Sequence, residues 1–160
     1  MSLFELKKVT ISPETLSAVV ELGPDAPTMT GENGGKGAQR VYDLMPQIAS
    51  HACVSEAGDT FRDALPNTET AHLLEHVCVE LMCRLGIEDV SAGNTSATPG
   101  QERCWTVKLS CPDDVIVAGV LSSALFIMEW AFSDDGGKPD VDGIVEGLRA
   151  LTSCLPDAQN

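Results

Sequence analysis

The sequence predicts an α+β fold: a two-layer domain in which a small, mostly antiparallel sheet carries helices on one face. Three observations predict it. Near the N-terminus two short runs with strand character, FELKKVTI and LSAVVEL, flank the turn segment SPET, the pattern of a β-hairpin. Far along the chain CWTVKLSC alternates again as a third strand. The remaining ordered segments carry apolar residues at helical spacing, and the resulting order ββααβαα suits helices packed on one side of a sheet.

Each element has a local reason. Residues 23–37 hold five glycines and two prolines and read as a long loop of the kind that is often functional. AQRVYDLMPQIASHACV places Val41, Leu44, Ile48 and Cys53 at helical spacing, one helix bent or ended near Pro46. SEAGDTFRDALPN reads as a loop. A helix over 68–85 follows, with Asn67 as its cap, Glu69 in its first turn and Gly86 as its stop. EDVSAGNTSATPGQER is expected to be loop. After the strand at 104–111, Pro112, Asp113 and Asp114 open a long helix over 113–132. A final amphipathic helix starts at Val141, with Ile144, Val145, Leu148 and Leu151 on one face. No repeat or linker interrupts the chain, so residues 1–160 are expected to form a single domain. Trp105 and Trp130 are expected in the core, and Arg40 and Arg103 on the surface.

Composition narrows the partners. Ten Lys and Arg against 24 Asp and Glu leave a net charge of −14, which argues against nucleic acid or an anionic membrane surface. The longest apolar run, VIVAGVLSSALFIMEWAF, contains a glutamate, a glycine and two serines and reads as a buried helix rather than a membrane span. MSLFELKKVTIS has no apolar leader region, and the six cysteines show no C-x-x-C spacing. A cytoplasmic protein with reduced thiols is the expectation.

The candidate chemistry lies in HLLEH, residues 72–76, which hold two of the three histidines. His72 and His76 sit one helical turn apart, where two imidazoles can reach one cation, and Glu75 lies beside them. H-x-x-E-H is the inverted form of the zinc-hydrolase helix motif. In that chemistry both histidines bind Zn²⁺ and the glutamate moves protons as general base. A catalytic zinc needs a third protein ligand. His51 and Glu80 are the main candidates. Three ligands on one straight helix make a poor tetrahedral fan, which favours His51. Cys53 and Cys83 are further candidates, and a cysteine-rich shell suits structural zinc better than catalytic zinc.

A longer set of residues adds a family. SHACVSEAGDTFRDALPNTETAHLLEHVCVELMCRLG followed by GNTSATPGQERCWTVKL resembles the N-terminal domain of cyanophycin synthetases over about residues 40–132. The matching positions are His51 and Cys53, then His72, Glu75, His76 and Glu80, then Thr95, Thr98, Pro99 and Gly100. The departure is CRLGIEDV after the helix. The full-length enzymes add ATP-using ligase domains that polymerise aspartate and arginine. No ATP-grasp or P-loop pattern is present here, so polymerisation is not implied. The resemblance implies instead a metallopeptidase-like site that in some members cuts the polymer into primers, and it strengthens His51 as third ligand.

The expected function is thus a small zinc-dependent hydrolase of peptide or isopeptide bonds, with Glu75 as base and His51, His72 and His76 on the metal. Its substrate would be peptide-like or a polymer, and the acidic surface suits an arginine-rich one. The alternative is a non-catalytic binding domain related to the same family, dimeric through the apolar helix 113–132.

Overall fold

The computed structural model describes residues 2–87, 93–133 and 135–154. Strands β1 (Phe4–Ile11) and β2 (Thr15–Leu22) form the N-terminal hairpin. Strand β6 (Cys104–Ser110) pairs antiparallel with β2, and β5 (Asn94–Ala97) pairs antiparallel with the other side of β6. The sheet order is therefore β1-β2-β6-β5, all antiparallel. Strand periodicity decides which face is covered. Leu16, Ala18, Val20 and Leu22 of β2, with Val107 and Leu109 of β6, turn into the core. The α+β architecture read from the sequence is the one observed.

Two helices fill the covered face. Helix α3 (Thr70–Arg84) lies against β5 and β6, and α4 (Asp114–Phe132) against α3 and β1. Helix α4 begins where Asp113 accepts a hydrogen bond from the Ile116 N–H at 3.0 Å, as its sequence predicts. It is long and apolar enough to cross a membrane by length and composition. Here Ile116, Val117, Val120, Leu121, Ala124, Ile127 and Met128 are buried within the protein. Helices α1 (Lys36–Leu44) and α5 (Val141–Cys154) pack against α4 from outside. Buried apolar side chains from β1, β2, β6 and helices α1, α3, α4 and α5 form one connected cluster.

The middle of the chain differs from its sequence reading. The expected single helix through Pro46 is three pieces: α1, a 3-10 turn over Pro46–Ser50, and strand β3 (Ala52–Ser55). Proline removes one helical hydrogen bond and clashes with the turn before it, and the chain leaves the 3-10 turn extended at His51. The segment read as loop folds back as β4 (Gly58–Thr60), pairing with β3 in a separate two-stranded sheet, and then forms the short helix α2 (Phe61–Ala64). The loop over residues 88–103 contains β5, while 88–92 lie outside the described residues.

Asn67 does not cap α3, whose first flanking residue is Glu69 without a side-chain cap bond. A short pairing between Met29 and Glu69 takes over this end: Thr70 N–H reaches the Thr28 carbonyl and Thr30 N–H the Thr68 carbonyl, both at 2.8 Å. Part of the long glycine-rich segment is thereby tied beside α3. Neither arginine read as a surface residue is free. Arg103 donates to the carbonyls of Leu22, Gly23 and Ala26, and Arg40 donates to those of Ala131 and Ser133 and stacks on Trp130. Trp105 and Trp130 are half-buried, packed on the edge of the core.

Candidate metal centre

Helix α3 is apolar nearly all round, and its inner length from Leu73 to Met82 is buried. Its ionisable side chains are buried with it: Glu75, His76 and Glu80 are each only 4–5% exposed. Ionisable groups in such a place need partners, and the β3 region supplies them. His51 is extended and Cys53 follows two residues later. Alternation puts both side chains on the same side of the chain, toward α3, while Val54 is 89% exposed. Helix α2 supplies one wall. Phe61 is completely buried, stacks on His76 with centroids 3.8 Å apart and meets His72 edge-on at 5.2 Å. Its backbone N–H donates to the His51 carbonyl at 2.9 Å, which fixes the two residues together.

The side chains form a continuous line. Thr68 Oγ1 is 2.9 Å from His72 Nδ1, and His72 Nε2 is 3.2 Å from His76 Nε2. His76 Nδ1 is 3.0 Å from His51 Nδ1, and His51 Nε2 is 2.9 Å from Glu80 Oε2. Arg84 Nε donates to the other Glu80 oxygen at 3.1 Å. Cys53 Sγ lies 3.5 Å from His72 Nε2. The donor atoms of Cys53, His72 and His76 all fall within 4.8 Å of one another, a grouping able to hold a metal ion. The structure therefore brings His51, Cys53, His72, His76 and Glu80 together, in a particular order. His72 and His76 face each other through Nε2, with Cys53 beside them. His51 lies at the opposite nitrogen of His76, and Glu80 lies beyond His51. Cys83 is exposed at the far end of the helix.

Glu75 is held from the sheet. Thr95 of β5 pairs with Val107, so its side chain points to the helix side, where its hydroxyl donates to Glu75 Oε2. Gly93 lies against the same carboxylate: a Cβ there would sit 2.7 Å from Glu75 Cγ and 2.8 Å from the Lys108 carbonyl oxygen. Thr68 and Phe61 carry no sequence signal of their own, and Thr95 is marked only by the family resemblance. Thr68 precedes His72 by one helical turn and Thr95 lies on β5, but their contacts depend on tertiary placement.

The electrostatics suit neutral imidazoles. Burial first, then the neighbouring His72 and His51 rings, push the pKa of His76 down to about 3. Burial lowers that of His72 against the opposing pull of Glu69. Burial raises Glu75, with the Thr95 hydrogen bond opposing. It also raises the Cys53 thiol, and the nearby Glu75 charge adds to that shift. For Glu80 burial acts upward, but the hydrogen bonds from His51 and Arg84 outweigh it and the pKa is lowered.

The donor set fits a borderline-soft divalent cation. One sulfur and two imidazole nitrogens are ligands that Zn²⁺ accepts, and three protein ligands leave a fourth position open. The outer nitrogens fit as well. If both Nε2 atoms present lone pairs inward, both Nδ1–H groups point outward, and each has an acceptor waiting, Thr68 Oγ1 or His51 Nδ1.

No curated protein matches the sequence. A family model, that of the cyanophycin synthase-like N-terminal domain, matches residues 27–127, which include all of α3, the β3–β4 hairpin and both strands flanking the TSATPG loop. With more than half its length under that match, the chain belongs to the family of cyanophycin synthase-like N-terminal domains.

Proposed function

We propose that the protein is a small zinc-dependent hydrolase of peptide or isopeptide bonds, with Cys53, His72 and His76 as ligands. The observation that carries this reading is the convergence of those three donors one helical step from the buried carboxylate of Glu75. A zinc ion held there would supply Lewis acidity toward a water and a scissile carbonyl. Glu75 would accept the water's proton and return it to the leaving amine. Its environment supports that role: burial raises its proton affinity above that of an ordinary carboxylate, toward the range where a base works near neutrality. Thr95 and Gly93 aim it. Phe61 packs against both histidine rings and keeps water from that side. The substrate in this reading is peptide-like, and the family points to a polymer built from aspartate and arginine. A net charge of −14 favours the approach of an arginine-rich chain.

Elemental analysis of the purified chain should find one zinc per molecule. Glu75→Gln should retain that zinc and lose hydrolysis of an arginine-rich isopeptide polymer by about 10²–10⁴-fold. Full activity in Glu75→Gln would exclude this mechanism. One observation favours a second reading, a non-catalytic binding domain. The run from Thr68 through three imidazoles to Glu80 also closes as a hydrogen-bond chain by itself. A metal content of zero with an intact fold would select it.

A further inference from the structure

The geometry points to His51 and Glu80 as positioning residues that orient and polarise His76 rather than bind the cation themselves. This rests on the metal reading above. His76 meets His72 through Nε2 and His51 through Nδ1, so the two contacts lie at opposite nitrogens of one ring. His51 cannot share a point with Cys53 and His72 while occupying the far nitrogen of His76. With His76 Nε2 turned inward, its Nδ1–H donates to His51 Nδ1. That assignment leaves the proton of His51 on Nε2, where Glu80 Oε2 accepts it at 2.9 Å. Glu80 is buried and receives Arg84 on its second oxygen, and Arg84 is in turn held by Gln47 at 3.1 Å.

A carboxylate accepting from a ligand imidazole fixes its tautomer and raises its basicity. Here a second imidazole is inserted between ligand and carboxylate, and its two nitrogens pass the polarisation on. His72 has a shorter counterpart: Thr68 accepts from its Nδ1–H and donates to Glu69 at 3.2 Å. The two histidine ligands are thus supported unequally: the relay from His76 ends on the buried carboxylate of Glu80, that from His72 on the exposed carboxylate of Glu69.

The test is zinc affinity, measured on the full chain by competition with a chromophoric chelator, together with the absorption spectrum of the Co²⁺-substituted protein. Glu80→Gln and His51→Gln should each still take up one metal per chain, with affinity about 10–100-fold weaker than wild type. Their Co²⁺ spectra should keep the wild-type ligand pattern, including the thiolate band. Adding Glu80→Gln to His51→Gln should cost little more than His51→Gln alone, because Glu80 acts through that ring. Arg84→Gln leaves both residues in place and should give a smaller loss, which carries the test if Glu80→Gln fails to fold. Wild-type affinity in Glu80→Gln and Arg84→Gln overturns the inference and leaves the metal reading standing. A lost site or a changed Co²⁺ ligand field in His51→Gln also overturns it, by making His51 a ligand. A wild-type chain that takes up no metal overturns both.

Discussion

Helices α3 and α4 both pack into the core, and they are buried by different means. The buried residues of α4 are all apolar, from Ile116 to Ala131, and hydrophobic burial is non-directional. The buried face of α3 mixes Leu73, Leu74, Val77 and Leu81 with Glu75, His76 and Glu80. Each of those three is tied to a named atom on another element: Glu75 to Thr95 on β5, His76 and Glu80 to His51 before β3. The difference teaches which helix the fold needs for cohesion and which it needs in one orientation. The buried face of α4 tolerates neighbours of the right size, whereas that of α3 is held by polar contacts that fail if it rotates or slides.

This contrast can be broken by experiment, beginning with the largest effect. Leu121 is 1% exposed at the centre of α4, so Leu121→Ala should cost about 2–5 kcal/mol by leaving a cavity. Chemical denaturation would measure that loss, which should be the same with and without zinc. A loss that depends on metal would show that the two helices are not separable in this way.

The next effect concerns pH and belongs to α3. His76 in the folded, metal-free chain has a pKa lowered from 6.5 to about 3. Below 6.5 the unfolded chain binds a proton that the folded chain refuses. Stability is therefore full above that pH and falls on acidification until about pH 3, by at most about 1.4 kcal/mol per unit from this group. Denaturation midpoints measured across that range should flatten in His76→Gln and keep their slope in an α4 variant such as Leu121→Ala. The smallest effect is at the outer face of α4. Phe126 is 59% exposed, so Phe126→Ser should change the stability of an isolated chain by no more than about 0.5 kcal/mol. A larger loss that depends on protein concentration, seen by sedimentation, would mean that this face is covered by a second copy.

The sequence made some of this legible. The N-terminal hairpin, α3, α4 and α5 are long enough for periodicity to decide them, although β1 buries only Phe4 and the apolar face of α5 buries Val141, Val145 and Leu148 but not Leu151. Strands β3, β4 and β5 are three or four residues each, too short to alternate visibly, and each is completed only by its neighbour in the chain, β3 with β4 and β5 with β6. In the site, the i,i+4 spacing of His72 and His76 needs only a helix to be read. The placing of His51 and Cys53 follows from a period of two in extended chain, which a helical reading of residues 38–54 concealed. No spacing rule reveals which nitrogen of His76 each neighbour meets, because that depends on the angle at which one element crosses another.

Among the described residues, the two-stranded β3–β4 ribbon forms a sheet of its own, apart from the four-stranded one. It contributes Cys53, while α3 contributes the imidazoles, so an ion bound by all three would staple an appendage to the body. Peeling away the ribbon and releasing the ion would then be a single event, and the binding constant would include the free energy of closing that flap. Such a domain would feel metal scarcity first as a loosened ribbon rather than as loss of its core.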